Sequence, residues 1–221
     1  IDAIGLVSVP ACQTLAQEVY SSSDFSERIA ECNRRRPRAH ILRFGEEPHE
    51  RDIQCFCCKE QSNEWLLGLT DYRGSHSSSV DDGVCQHTII LCADKCDSAD
   101  EMRSVVRHEL QHYLDECDLD RCGDEGPQTC EYLTCLELRA YIAQGDCNSG
   151  DIAGCWRQFL SRHWPRWQTA AEDDHPCHGA DISTLRTAMN GCPLGGSGPT
   201  PGPPLWDLPA PINPIPTSPE G

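Results

Sequence analysis

The stretch 104-SVVRHELQHYLDECD-118 decides the fold of this chain, because it combines a helical pattern with a chemically reactive one. Ser98 followed by Glu101 is a capping-box sequence, which starts a helix by satisfying its first backbone amides. Apolar residues then recur at helical spacing: Val105, Val106, Leu110, Tyr113 and Leu114. The sequence predicts a helix from about Ala99 to Glu116.

His108 and His112 lie one turn apart on this helix, so their imidazoles project from the same face and can share one tetrahedral cation. Glu109 is next to the first imidazole and can reach a water on that cation without binding the cation itself. This HExxH arrangement indicates a zinc hydrolase, with Glu109 as the catalytic base. The alternative is that two histidines fell at this spacing by chance in a binding protein.

A third protein ligand is expected from a second helix, within 129-TCEYLTCLELRAYIAQGD-146. Thr129 is a good N-cap, and Gly145 is a good stop signal. Glu137 lies inside this helix among apolar neighbours, where a carboxylate needs a partner. We therefore expect Glu137 to complete the metal site.

Three alternatives to that ligand set remain. Glu137 could form a salt bridge with Arg139 instead. Asp115 shares a helical face with the two histidines and is a rival ligand, although we prefer it as a residue that orients an imidazole. Glu131 is a weaker rival, because acids in the first turn of a helix commonly interact with the helix dipole.

Composition limits the class of protein. The chain has 221 residues, of which 38% are apolar, enough for one core. Its formal charge of −17 repels nucleic acid and anionic lipid surfaces. No apolar run approaches the roughly 20 residues that a membrane-spanning helix needs. Because 1-IDAIGLVSVP-10 has neither an initiator Met nor a charged leader, we expect a processed, soluble chain, or one cut at a convenient point.

The chain contains sixteen cysteines, which indicates an oxidising compartment. An even count permits up to eight disulfides, and we expect about that many. One candidate is a short loop closed by Cys122 and Cys130, with Cys117 or Cys135 as competing partners.

The chain divides into three parts. An N-terminal arm, residues 1–50, has helical character in 14–20 and 25–32. A compact domain is expected over residues 51–192. The tail, residues 193–221, holds ten of the sixteen prolines and should be extended, without a core of its own.

Within the compact domain, two segments are rich in residues that favour strands, 65-WLLGL-69 and 86-QHTIILC-92. The segment 74-GSHSSSVDDG-83 between them is polar and ends in turn residues, so we interpret it as a loop.

Three blocks in order, 87-HTIILCADK-95, 108-HELQHYLDEC-117 and 135-CLELRAYIAQGDC-147, resemble the mitochondrial ATP-synthase-assembly metalloprotease family. These are disulfide-containing zinc peptidases of the intermembrane space that also assist assembly of the membrane sector of the ATP synthase. The resemblance implies Zn²⁺ bound by His108 and His112, with Glu137 as the third ligand and Glu109 as the base. It also implies an intermembrane-space location and ATP synthase or other membrane-complex subunits as partners. A secreted relative is the alternative, since the extra cysteines fit that location too.

The sequence therefore predicts an α+β, zincin-like metallopeptidase domain that hydrolyses peptide bonds with zinc-activated water. The charge of −17 should favour basic peptides by electrostatic steering, which added salt would weaken. Two alternatives from other classes are a non-catalytic assembly factor that keeps the protease fold and a secreted, disulfide-rich binding protein.

Overall fold

A computed structural model of the chain describes residues 6–35, 38–44, 52–58, 73–123, 129–145, 176–181, 183–185, 187 and 192. The architecture is mixed α/β. Its elements in chain order are helices α1 (Val9–Tyr20) and α2 (Ser23–Arg34), strands β1 (His40–Ile41), β2 (Ile53–Phe56), β3 (Gly74–Asp81) and β4 (Val84–Cys92), and helices α3 (Ala99–Leu119) and α4 (Cys130–Gln144). The strand predicted at 65–69 and the tail at 193–221 lie outside the described residues.

Strand β4 organises the sheet. It contains the predicted strand 86–92, and its alternating burial follows from one face packing on the core. β1 pairs with β4 in parallel near Cys85, and β2 does so from Ile53↔Ile89 to Phe56↔Cys92. β3 runs antiparallel to β4 along nearly its whole length.

The interpretation of 74–83 as a loop is wrong. Residues 74–81 form β3, and Asp82 and Gly83 form the tight turn into β4, with φ of 46° and 76°. Asp-Gly supplies the positive φ that such a two-residue hairpin turn requires. Serines have low strand propensity, but pairing with a buried central strand overrides it.

Helix α3 starts where the capping box predicts. Ser98 Oγ accepts from the backbone N–H of Glu101 at 3.1 Å, and Glu101 Oε2 reaches back to the N–H of Asp97 at 2.7 Å. The helix ends one turn beyond the predicted point, where Asp120 adopts a left-handed φ of 50°.

Helix α4 also has the predicted ends. Thr129 Oγ1 accepts from Tyr132 N–H at 3.2 Å, and Gly145 closes the helix with φ of 85°. A glycine takes that conformation without a steric penalty.

The two N-terminal helices share one core with the rest of the described fold, which confirms helical structure in the arm. Their apolar faces pack with the inner faces of β4 and α3; among the buried members are Leu15, Val19, Phe25, Ile29, Ile89, Leu91, Val106, Leu110 and Leu114. Burying apolar area of this kind is the main force that holds helix and sheet together. Arg28 and Asp118 add an exposed ion pair at 3.0 Å, which stabilises little.

Among the described residues six disulfides form: Cys12–Cys55, Cys32–Cys117, Cys58–Cys92, Cys85–Cys122, Cys130–Cys177 and Cys135–Cys192. The predicted bridge between Cys122 and Cys130 is wrong, because each is paired with a cysteine from another part of the chain. Each bridge typically adds about 2–4 kcal/mol by restricting the unfolded chain.

The sixteen cysteines do not form all eight bridges that their number permits, because a described cysteine is free. Cys96 keeps a buried free thiol, whose pKa burial raises to about 12. No helix in the described part of the chain is long and apolar enough to cross a membrane.

Candidate metal site

Helices α3 and α4 bring three side chains together, as the sequence predicts. His108 Nε2 and His112 Nε2 lie 3.2 Å apart. Glu137 Oε2 lies 3.4 Å from His108 Nε2, and its Oε1 lies 3.5 Å from His112 Nε2. Two helices thus present two imidazole nitrogens and a carboxylate to one point.

These separations fit a tetrahedral cation. Nitrogen and oxygen ligands at about 2.0–2.1 Å from a tetrahedral Zn²⁺ lie about 3.3–3.4 Å from one another. The observed separations of 3.2, 3.4 and 3.5 Å are close to that edge length. Two imidazoles and one carboxylate also leave a fourth position open, as a catalytic site requires.

The electrostatics of the site favour positive charge. Burial lowers the pKa of His112, but the carboxylates of Glu137, Glu109 and Asp115 outweigh burial and raise this pKa to about 9. A bound cation would experience the same attraction.

Glu109 lies against the start of β3 and is only 6% exposed. Burial raises the pKa of its carboxyl, and the neighbouring His108 and His112 oppose that rise. A Cβ on Gly74 would lie 2.7 Å from Glu109 Oε1 and 2.9 Å from Val105 Cγ1. Any side chain at position 74 would therefore have to displace the glutamate, a constraint that the sequence pattern does not reveal.

Gln144 is a site residue that sequence reasoning missed. Its Oε1 lies 2.9 Å from His108 Nδ1, which assigns the ring proton to Nδ1 and leaves the Nε2 lone pair facing His112 and Glu137. Its own backbone carbonyl accepts from Ser104 Oγ at 2.9 Å, which anchors the end of α4 on α3. The sequence signal that identifies Gln144 is its spacing of two helical turns from Glu137, which places both side chains on one face of α4.

Gln144→Leu should weaken metal affinity by about 10–100-fold, the usual effect of removing a hydrogen bond behind a ligating imidazole. Competition with a chromophoric zinc chelator measures this affinity. Gln17→Leu, on the exposed face of α1, is the matched control. An unchanged affinity in Gln144→Leu would show that His108 holds its orientation without this bond.

The rival ligands have other positions. Glu131 is exposed in the first turn of α4. Asp115 Oδ1 accepts from Gln111 Nε2 at 2.6 Å and lies 2.7 Å from Arg139 Nη2. Asp115 is fully buried and Arg139 is 13% exposed, so the pair ties α3 to α4 beneath the site. Asp115 thus acts on His112 through its charge rather than by contacting an imidazole.

That geometry bears on the alternative pairing of Glu137 with Arg139. The guanidinium lies against Asp115, and 3.8 Å from Asp118, whereas the Glu137 carboxylate faces the imidazoles. Tyr141 on α4 packs edge-on to His108 with ring centroids 5.4 Å apart.

Comparison with known proteins agrees with this geometry. The profile of the Peptidase M76 family matches residues 35–163, which is more than half of the 221 residues. The matched region contains every residue of the site. Searches of curated proteins and of solved structures gave no match. Family membership implies protein substrates and a bound metal. With its His-His-Glu group and buried neighbouring glutamate inside the matched region, the chain belongs to the peptidase M76 family.

Proposed function

We propose that this protein is a zinc-dependent metalloendopeptidase with a zincin-like catalytic domain. The observation that carries the proposal is the group formed by His108, His112 and Glu137, whose ligand atoms are spaced as the ligands of one tetrahedral cation. Family membership supplies the independent support for a peptidase.

The residues of the site have distinct roles in peptide hydrolysis. Zn²⁺ bound there would lower the pKa of a water molecule and polarise the scissile carbonyl. Glu109 takes the proton from the attacking water and passes it to the leaving amine nitrogen. Gln144 fixes the orientation of His108, and the close approach of Gly74 fixes the position of the Glu109 carboxylate.

We further propose the mitochondrial intermembrane space as the location, with membrane-complex subunits such as those of the ATP synthase among the partners. The support is the order of the three sequence blocks and the six disulfides among the described residues, which need an oxidising compartment.

The test compares metal content and proteolysis in the intact chain and in His108→Ala. The variant should bind one zinc equivalent fewer per chain and should not cleave any member of a peptide library that the intact chain cleaves. Chelation should abolish cleavage by the intact chain, and added zinc should restore it. His178→Ala, which changes an exposed histidine far along the chain, is the control. Equal metal content in His108→Ala and the intact chain would overturn the proposal.

A further inference from the structure

A second group of histidines lies beside the first, along the same face of α3, where the His76 and His112 ring centroids are 6.4 Å apart. His76 on β3 and His87 on β4 are diagonal neighbours across the hairpin, because Ser78 is the residue paired with His87. Glu116 faces them from the last turns of α3, one turn beyond His112. Two imidazoles and a carboxylate therefore meet between the hairpin and the helix.

The ligand atoms of this group are close enough to share a cation. His76 Nε2 lies 2.9 Å from His87 Nδ1, and Glu116 Oε2 lies 3.9 Å from that same nitrogen. One ligand atom from each of the three residues lies within 4.8 Å of the others. The separations of 2.9 and 3.9 Å lie on either side of the roughly 3.3 Å expected between two ligand atoms of a tetrahedral Zn²⁺. Only small side-chain movements are therefore needed to bind such an ion.

His40 continues the group on the side away from Glu116. His40 Nδ1 lies 3.1 Å from His87 Nε2, and His40 Nε2 lies 3.5 Å from Asp120 Oδ1. A row of three imidazoles thus runs between two carboxylates, those of Asp120 and Glu116. Burial lowers the pKa of His87 to about 3, so the middle ring is neutral.

The number of N–H protons on the three rings explains why a cation fits in this row. Three neutral rings carry three N–H protons, and the two nitrogen–nitrogen contacts use two of them. The third proton can lie at only one end of the row of imidazoles. At the other end, a ring nitrogen without a proton therefore points its lone pair at a carboxylate. At the His40 end, Nε2 is buried without a hydrogen-bond partner.

A cation between His76 Nε2 and His87 Nδ1 removes this conflict, because that contact then needs no proton. The N–H groups of the other two rings can then point from His87 to His40 and from His40 to Asp120. Ligating imidazoles commonly donate their other N–H in this way.

We propose that His76, His87 and Glu116 form a second transition-metal site, separate from the group at His108, that holds the β3–β4 hairpin against α3. Imidazole and carboxylate ligands suit Zn²⁺ and similar ions better than Ca²⁺ or Mg²⁺. Ser78 Oγ donates to Glu116 Oε2 and accepts from the N–H of Gly123 at 2.6 Å, which orients the carboxylate. A third group, His40, Cys85 and His87, is not a rival, because the Cys85 sulfur is bonded to Cys122.

Elemental analysis of zinc-loaded, desalted protein tests the proposal. The intact chain should hold two zinc equivalents, and His76→Gln and Glu116→Gln should each hold one. His108→Ala should also hold one, the combination of His108→Ala with His76→Gln should hold none, and the control His178→Gln should hold two. Loss of the second ion should also lower the thermal unfolding midpoint of His76→Gln relative to His178→Gln, since an ion bound only by the folded state stabilises it.

Cobalt titration of the metal-free intact chain gives a second readout that needs no substitution. Two sequential binding steps, each with visible d–d absorption, support the second site. A single step, or one zinc per intact chain that His108→Ala removes and His76→Gln keeps, would overturn it. One zinc that His76→Gln removes and His108→Ala keeps would support the second site and count against the proposed function instead.

Discussion

Glu109→Gln lowers kcat/KM for peptide cleavage by about 10³-fold, within the range expected when a general base is removed. The amide keeps the size of the carboxylate but cannot take the proton from water at neutral pH. Because Glu109 is not among the three proposed ligand residues, zinc content should not change. A continuous fluorogenic assay measures the loss, using a peptide identified by library cleavage.

Glu101→Gln is the matched control for this substitution. Glu101 lies on the same helix, but at its capped end, and its carboxylate interacts with Asp97 N–H and Arg73. Activity within a few-fold of the intact chain is expected for this variant. Full activity in Glu109→Gln, with zinc retained, would assign the base to another residue and contradict the proposed roles.

Gly74→Ala should lower kcat by about 10²-fold, a typical consequence of moving a catalytic group by roughly 1 Å. The added Cβ would lie 2.7 Å from Glu109 Oε1 and 2.9 Å from Val105 Cγ1, closer than Cβ atoms approach other atoms in folded proteins. The flexible carboxylate is what can yield, so the fold and the zinc content should persist. Steady-state kinetics beside zinc analysis and circular dichroism separates these effects.

Ser77→Ala is the control for Gly74→Ala, because Ser77 is exposed on the same strand. It should leave kcat unchanged. If Gly74→Ala were as active as Ser77→Ala, the position of the Glu109 carboxylate would not depend on the close approach of β3.

The two helices of the site were predictable because their signals are local. The Ser98 and Thr129 caps, the Gly145 stop and the apolar stripe of α3 act over a few residues, and the structure has each of them where expected. The spacing of His108 and His112 also fixes their common face within one helix. The strand at 86–92 was predictable from its β-branched residues.

Features that depend on contacts between distant segments were not predictable. β3 has a serine-rich sequence typical of a loop, and it is a strand only because it pairs with β4. The disulfides join cysteines 34 to 85 residues apart, so spacing alone could not assign their partners. Gln144 and Gly74 gain their roles from what each lies against, His108 and Glu109.

The sequence by itself determined the chemistry of this protein: an HExxH helix, a second helix with an interior glutamate, and an oxidised, acidic chain. These depend on residue type and short-range periodicity, which are written directly in the chain. Only the tertiary structure decided that Glu137, rather than Asp115 or Glu131, meets the two imidazoles, and that His76, His87 and Glu116 form a second group. Helix packing and strand pairing set those distances, and both arise from burying apolar surface between segments far apart in sequence.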